Sequence, residues 1–186
     1  MTPRAYGSGA RFCPRCAAAL ATAPPGTCVG CGYQLFVNAR PTASVVVLDG
    51  GGAGDDAGDP ARPRFLALRR AAEPRAGAWE TPGGFCDGAE HPADAALREA
   101  REELGVEIAL GDLIGMYLGT YEFQEETLPV LDIFYLATIS AGRVTLNPSE
   151  SSEMKWFLLA EPPPLAFATM DSAVRDVSRR LGIKSV

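Results

Sequence analysis

The chain has 186 residues, of which 47% are hydrophobic, and it carries a formal net charge of -6. This length and composition predict one sizeable packed domain accompanied by a small module. No apolar stretch approaches the roughly twenty residues of a transmembrane helix, so we expect no membrane span. The acidic balance also disfavours membrane surfaces and other polyanions as partners, because these are recognised by positive charge.

Four cysteines near the start of the chain form two C-x2-C pairs: Cys13, Cys16, Cys28 and Cys31. Four thiolates at this spacing suit a tetrahedral Zn²⁺ site. Two disulfides or a redox pair are the alternatives. Because the first eleven residues are mostly small and polar, without an apolar signal-like run, we expect a reducing, cytoplasmic location. A segment this short cannot bury a core alone, so residues 1–37 are predicted to fold around the metal as a zinc ribbon.

A zinc ribbon is able to contact nucleic acid as well as protein. This one contains few basic residues, namely Arg4, Arg11 and Arg15. Binding to nucleic acid depends on clustered positive charge, so we do not expect a nucleic-acid partner. We interpret the ribbon as a structural brace or as a contact in a homodimer.

Residues 38–186 are predicted to form a second domain of α/β type. Five segments are β-branched, apolar or alternating and are expected to be strands: 42–48, 64–70, 113–123, 130–139 and 154–158. The Gly-, Asp- and Pro-rich residues 49–63 are predicted to form a loop, and residues 79–84 a turn. Helices are expected after Pro92 and over 169–181. A mixed sheet between helices buries the apolar faces of all these elements.

The helix after Pro92 concentrates negative charge. Proline suits the first helical position, Gly105 follows the last turn, and an apolar stripe recurs between them. Three carboxylates share a face beside that stripe: Glu99, Glu102 and Glu103. Such charges repel one another, and a bound cation would explain why the three are placed together. Mg²⁺ or Mn²⁺ suits carboxylate oxygens. The alternative is a solvated face held by ion pairs such as Asp94 with Arg98.

Residues 84–106 read GFCDGAEHPADAALREAREELGV. They resemble the Nudix box, G-x5-E-x7-R-E-U-x-E-E-x-G-U, at every defined position, with Ala100 as a small first U. The specificity of this pattern favours a functional site over a solvated face. The resemblance implies an α/β/α sandwich with a mixed sheet, and hydrolysis of a nucleoside diphosphate linked to another moiety. The additional ribbon resembles the subgroup that contains NADH pyrophosphatase and the plant plastid FAD pyrophosphatase.

The resemblance also implies which residues bind the catalytic ions. Glu99 and Glu103 are the main ligands of Mg²⁺ or Mn²⁺, and Glu102 shares the ions. A backbone carbonyl near Gly83 or Gly84 completes the shell, and these glycines let the main chain approach the substrate closely.

Many members use a further acid from outside the box as a ligand or base. Glu150 and Glu153 are the candidates here, and an acidic run that resembles a loop tip is less favoured: Glu122, Glu125 and Glu126.

Arg98 and Glu90 are expected to form a forked ion pair that pins the loop to the helix and orients the metal ligands. Two other residues occupy undefined positions of the box. Cys86 is interpreted as an incidental thiol. His91 is the only histidine of the chain, so a histidine-based metal site or catalytic triad is not expected.

The substrate is less well defined by the sequence. NADH pyrophosphatases carry the run SQPWPFPxS after the box, and this chain has no such run. We therefore predict that NADH is not uniquely preferred. The candidate substrates are ADP-ribose, FAD, NAD(H), dinucleoside polyphosphates and damaged nucleoside triphosphates. Tyr117, Tyr121 and Phe123 are candidates for stacking on a base or flavin, although aromatic residues in strands more often belong to a core.

Two other functions use the same features. A nucleotide-sensing regulator or partner-binding module keeps the fold, but it has no need of intact glutamates. Decapping of nucleotide-capped RNA shares the chemistry, but it needs a basic RNA path that the sequence does not display.

Overall fold

The computed structural model describes residues 4–5, 10–50, 59, 61–123 and 125–183. It divides into two compact units, one formed by residues 1–40 and 120–130 and the other by residues 41–119 and 131–186. Most of the predicted loop at 49–63 lies outside the described residues.

The first unit contains the cysteine pairs. Its short strands are β1 (Arg4–Ala5), β2 (Gly26–Thr27) and β3 (Gln34–Leu35), and β2 pairs antiparallel with β3. Each cysteine pair sits on a tight backbone turn. The Ala17 N–H donates to the Cys13 carbonyl at 2.9 Å, and the Gly32 N–H donates to the Cys28 carbonyl at 2.8 Å.

Seven further strands and two helices complete the chain. The strands are β4 (Arg40–Leu48), β5 (Arg64–Arg70), β6 (Trp79–Glu80), β7 (Gly83–Phe85), β8 (Glu107–Phe123), β9 (Glu126–Ala141) and β10 (Ser151–Leu158). The helices are α1 (Pro92–Leu104) and α2 (Ala168–Arg180). The main sheet has the order β1-β9-β4-β5-β10, with β6 paired to β5, β7 to β4 and β8 to β9. Because β1 pairs in parallel with β9 and β10 antiparallel with β5, the sheet is mixed.

One helix covers each face of the sheet. Alternation along β4 and β5 sends successive side chains to opposite faces, so each strand supplies both cores. The core under α1 contains Val45, Val47, Leu66 and Leu68 from the strands and Ala95, Ala96, Ala100 and Leu104 from the helix. The core under α2 contains Val46, Phe65, Ala67 and Phe134 from the strands and Met170, Ala173, Val174 and Val177 from the helix. The predicted α/β/α sandwich is confirmed.

Most predicted elements are present, and several are longer than predicted. β5 has the predicted bounds, whereas β8 and β9 extend well beyond residues 113–123 and 130–139. The prediction that residues 79–84 form only a turn was wrong, because β6 and β7 both begin there and pair with β5 and β4. Within the described part of the chain, no helix combines the length and apolar character that crossing a membrane requires.

Candidate active site and cysteine cluster

Helix α1 is fixed at both ends by local hydrogen bonds. His91 is the N-cap, and its Nδ1 accepts a bond of 3.1 Å from the Ala93 N–H. Pro92 opens the helix, and Gly105 ends it with a φ of 66° while its N–H donates to the Arg101 carbonyl. His91 therefore has a structural role that the sequence interpretation missed. Buried alanines hold one side of α1 against the sheet, which fixes the direction of its carboxylates.

The three glutamates of α1 differ in exposure. Glu103 is buried, with 7% of its surface exposed, and its Oε2 accepts a bond of 2.9 Å from the Gly83 N–H. The side chain of Glu99 is 13% exposed, whereas that of Glu102 is 54% exposed. Two carboxylates therefore lie in the protein interior and one lies at its surface.

Other acids converge on Glu103. Burial raises its pKa well above the usual range, and the negative charges of Glu80, Glu99 and Glu150 raise it further, while the Gly83 N–H lowers it. Burial also raises the pKa of Glu99, against the lowering effect of Arg98. A carboxylate surrounded by acids in a low-dielectric site needs a proton or a cation. This donor set of oxygens fits Mg²⁺ or Mn²⁺.

Glu80 is the member of this group that sequence reasoning missed. It lies at the end of β6, is 6% exposed and forms an ion pair with Arg70 of β5. Burial raises its pKa, although Arg70 lowers it. Glu80 stood inside a run interpreted as a turn, and its burial depends on the pairing of Leu68 with Glu80 between two strands. No local pattern signals that pairing.

The two candidate acids outside the box lie in different surroundings. The charge of Glu150 contributes to the raised pKa of Glu80, Glu99 and Glu103. Its carbonyl also accepts a bond of 2.8 Å from the Ala71 N–H at the end of β5. Glu153 instead pairs with Arg69 at 3.2 Å, and both side chains are about half exposed. The structure thus brings Glu150, rather than Glu153, to the buried glutamates.

Arg98 links the loop to the helix. Its Nε and Nη2 donate to the two oxygens of Glu90 at 3.0 Å each, which forms the expected fork. Nη1 donates to Glu99 at 2.8 Å and to Glu102 at 3.0 Å, and Nη2 also reaches the Phe85 carbonyl at 3.1 Å. These bonds lower the pKa of Glu90. One guanidinium therefore orients carboxylates on both the loop and the helix.

Gly83 and Gly84 are required for a close approach between β7, β4 and α1. Gly83 has a φ of 146°, and a Cβ there would lie 2.5 Å from the Cα of Ser44. A Cβ on Gly84 would lie 2.7 Å from the Cδ of Glu99. The absence of a side chain at Gly84 therefore makes the space that the Glu99 carboxylate occupies.

The aromatic candidates do not form one group. Tyr117 packs edge-on against Phe134 with ring centroids 5.7 Å apart, and its hydroxyl donates to Asp176 of α2 at 2.8 Å. Burial and Asp176 raise the pKa of Tyr117 to about 12. Tyr117 thus belongs to the core under α2, which does not support its predicted stacking role. Tyr121 and Phe123 belong to the first unit.

The four paired cysteines form a compact cluster in the first unit. Their Sγ atoms lie within 4.8 Å of one another, with 3.7 Å between Cys13 and Cys31 and between Cys16 and Cys28. None of the five cysteines is disulfide-bonded. A tetrahedron with Zn–S bonds of about 2.3 Å has sulfur–sulfur edges of roughly 3.8 Å. The cluster therefore has the size that a Zn²⁺ ion requires.

Comparison with known proteins gives consistent matches. Residues 38–181 match the family described as the NUDIX domain. The chain is 26% identical over 158 residues to a protein named NAD-capped RNA hydrolase NudC from Pseudomonas putida, which covers 83% of this chain and 50% of that protein. The chain spans about half the length of the curated relatives it matches.

Two solved structures share the fold. A MutT NUDIX hydrolase from Burkholderia pseudomallei is 26% identical with a TM-score of 0.57, covering 75% of this chain and 98% of that one. A NUDIX hydrolase from Nitrosomonas europaea is 19% identical with a TM-score of 0.68, covering 95% of this chain and 96% of that one. The second likeness concerns the fold alone.

Proposed function

This chain belongs to the NUDIX family, and we propose that it is a divalent-metal-dependent pyrophosphohydrolase. It cleaves a nucleoside diphosphate linked to another moiety and releases a nucleoside monophosphate. The observation that carries this proposal is the convergence of Glu80, Glu99 and Glu150 on the buried carboxylate of Glu103. A convergence of acids that raises the pKa of Glu80, Glu99 and Glu103 is costly unless a cation binds there.

Each box residue has a role in this proposal. Glu99 and Glu103 hold Mg²⁺ or Mn²⁺, Glu102 shares the ions from the surface, and a carbonyl near Gly83 or Gly84 completes the shell. Ions held by these residues would supply polarisation of the phosphoryl group and would lower the pKa of an attacking water. Glu103 is held in place by the Gly83 N–H.

Arg98 and Glu90 act as positioning residues. The Arg98 guanidinium bonds both Glu90 and Glu99, so it holds the loop and a metal ligand in one arrangement. A bidentate fork fixes direction as well as distance. Loss of this pair would displace the metal ligand and so alter the alignment of the reacting groups.

Glu150 is the acid outside the box that we assign to the site. Its charge acts on Glu80, Glu99 and Glu103, whereas Glu153 is paired with Arg69, and both Glu150 and Glu153 are exposed. The bond from the Ala71 N–H to the Glu150 carbonyl fixes the backbone that carries this side chain. Glu150 serves as a further metal ligand or as the base that accepts a proton from water.

The cysteine cluster is proposed to be a structural Zn²⁺ site. The sulfur–sulfur distances of 3.7 Å match the edges of a ZnS₄ tetrahedron. We propose residues 1–37 as the zinc ribbon and residues 38–186 as the hydrolase domain of a cytoplasmic protein. The ribbon then serves as a brace or as a homodimer contact, and nucleic acid is not its expected partner.

The substrate class that we propose is an AMP-linked diphosphate, including ADP-ribose, FAD and NAD(H). These compounds share the diphosphate that the box residues bind, and discrimination among them comes from contacts outside the box. Decapping of nucleotide-capped RNA is the second candidate, because several relatives are named NAD-capped RNA hydrolase. Stacking by Tyr121 or Phe123 stays a prediction.

A turnover panel tests the proposal. ADP-ribose, FAD and NADH are incubated with the full chain and Mg²⁺ or Mn²⁺, and released AMP is quantified. We expect cleavage of ADP-ribose or FAD at least comparable to that of NADH. Absence of AMP from every compound with both metals would reject the proposal. A preference for NADH of roughly a hundredfold or more would reject the substrate assignment.

A matched pair of variants tests the assigned acid. Glu150→Gln should lower kcat by at least about tenfold, because it removes a charge that acts on Glu99 and Glu103. Glu153→Gln changes the same residue type three positions along and removes only an exposed ion pair. Equal effects of the two substitutions would contradict the assignment of Glu150.

A further inference from the structure

The loop that joins β5 to β6 holds Arg75 in an unusual backbone conformation. Its φ is 63°, in the left-handed region that glycine and asparagine adopt most easily. The loop is held by bonds from the Gly77 N–H to the Arg70 carbonyl at 2.9 Å and from the Ala78 N–H to the Arg75 carbonyl at 3.1 Å. Strained backbone that the surroundings enforce is a reason to look for a function at that residue.

Two guanidinium groups lie against one aromatic ring. The Cζ atoms of Arg70 and Arg75 are 5.5 Å and 5.6 Å from the centroid of Phe167, the residue that precedes α2. The two Cζ atoms are therefore at most about 11 Å apart. Phe167 is the N-cap of α2, and the carboxylate of Asp171 lies in the first turn of that helix.

The two arginines are not equivalent. Arg70 forms an ion pair with Glu80, and its Nε donates a bond of 2.8 Å to the Pro74 carbonyl. Arg75 is exposed, and among the carboxylates of the described residues none lies within ion-pair distance of it. In a chain with a net charge of -6, an unneutralised guanidinium of this kind is available to an anion from solution.

A chain of contacts connects Arg75 to the buried glutamates. Arg75 and Arg70 share the Phe167 ring, Arg70 pairs with Glu80, and the charge of Glu80 acts on Glu103. In this series of contacts the ion pair between Arg70 and Glu80 separates Arg75 from the metal-binding residues.

We infer that Arg75 is a specificity-determining residue that binds a phosphate group carried by the substrate in addition to the cleaved diphosphate. This inference rests on the proposed function. Guanidinium groups bind phosphate oxygens through paired, charge-assisted bonds, and stacking on Phe167 holds the planar group in place for them. The phosphate comes from one of two sources, a longer phosphate chain or a phosphorylated ribose.

The experiment uses two ligand pairs that differ by one phosphate, ADP with ATP and NADH with NADPH. Turnover with Mg²⁺ gives kcat/KM, and titration calorimetry with Ca²⁺, which also prefers oxygen ligands, gives Kd. The main variant is Arg75→Asn, because asparagine tolerates the left-handed backbone and removes the charge. Arg75→Lys keeps the charge, and Arg62→Gln is the control, since Arg62 is exposed and lies before β5, at the opposite end of that strand from Arg75.

We expect the parent protein to bind the member with the extra phosphate more tightly in at least one pair. Arg75→Asn should reduce that preference about tenfold, the scale of one charge-assisted bond. Arg75→Lys should retain part of the preference, and Arg62→Gln should retain all of it. Loss of the preference for ATP over ADP identifies the phosphate chain as the source. Loss of the preference for NADPH over NADH identifies the phosphorylated ribose.

Two results would overturn the inference: parent binding that is equal within both pairs, or Arg75→Asn weakening both members of each pair alike. The calorimetric arm separates this inference from the proposed function. If no compound is hydrolysed but Arg75→Asn still loses the preference in Kd, then the proposed activity fails and the assignment of Arg75 stands.

Discussion

Substitution of Gly84 by alanine tests the geometry of the candidate site directly. The new Cβ would lie 2.7 Å from the Cδ of Glu99 and 3.0 Å from its Oε2. The nearest atom to that Cβ is Oε1 of Glu99, and ordinary Cβ contacts begin at about 3.4 Å, so the carboxylate must retreat by about 1 Å. Because the obstructing atoms are at the end of a flexible side chain, the fold should absorb this change.

The displacement should affect catalysis much more than stability. A misplacement of about 1 Å at a catalytic group costs on the order of a hundredfold in rate. Glu99 also accepts a bond of 2.8 Å from Arg98. When the carboxylate moves, either this bond lengthens or the Arg98 side chain moves with it. We expect Gly84→Ala to lower kcat by about tenfold to a hundredfold, while Tm falls by only a few degrees.

Steady-state kinetics and thermal unfolding of three glycine variants provide the measurement. Gly88→Asn is the control in the same loop, since nothing lies within 4 Å of a Cβ there, and it should keep both activity and Tm. Gly83→Ala should be destabilised, because its Cβ would meet the backbone of Ala43 and Ser44 as well as the Ser44 hydroxyl. Parent-like kcat in a folded Gly84→Ala protein would refute the reasoning.

Three further predictions follow from the same contacts. Arg98→Lys should lower kcat/KM about tenfold or more, because an ammonium cannot reproduce the fork on Glu90, and equal kinetics would contradict this role. The raised folded pKa of Glu103 means that, without metal, its contribution to stability is lost as pH rises from about 4.5 through that folded value. The Tm advantage of metal-free Glu103→Gln over the parent should therefore grow with pH, and a constant difference would count against the burial argument. One Zn²⁺ per chain should copurify, and Cys28→Ser should lose it; metal analysis without zinc, together with disulfide crosslinks by mass spectrometry, would point to disulfides instead.

Local signals were sufficient to predict α1. A proline at its first position, a glycine after its last turn and an apolar stripe between them are all properties of neighbouring residues. The same holds for β5, whose apolar run is buried on both faces. The fork between Arg98 and Glu90 was predicted from the positions of these residues, one just before the helix and one within it, and the structure forms it.

The remaining features depend on tertiary pairing. Glu80 reaches the site only because β6 pairs with β5, and the sequence around it favours a turn. Glu150 and Glu153 are indistinguishable as sequence, and the bulge between Ser151 and Glu153 in the pairing of β10 with β5 separates their surroundings. The position of Arg75 beside Phe167 joins residues that lie far apart in the chain, so no local pattern predicts it.

The measurement that tests the central claim most directly is the metal-dependent turnover of Glu103→Gln. This substitution keeps the size of a buried side chain and removes its charge, so the fold should be retained. With Mg²⁺ or Mn²⁺ present, we expect kcat to fall by about a hundredfold or more, because a lost ligand removes stabilisation of the transition-state charge. A folded Glu103→Gln protein that releases AMP at nearly the parent rate would contradict the assignment of the buried glutamates as a catalytic metal site.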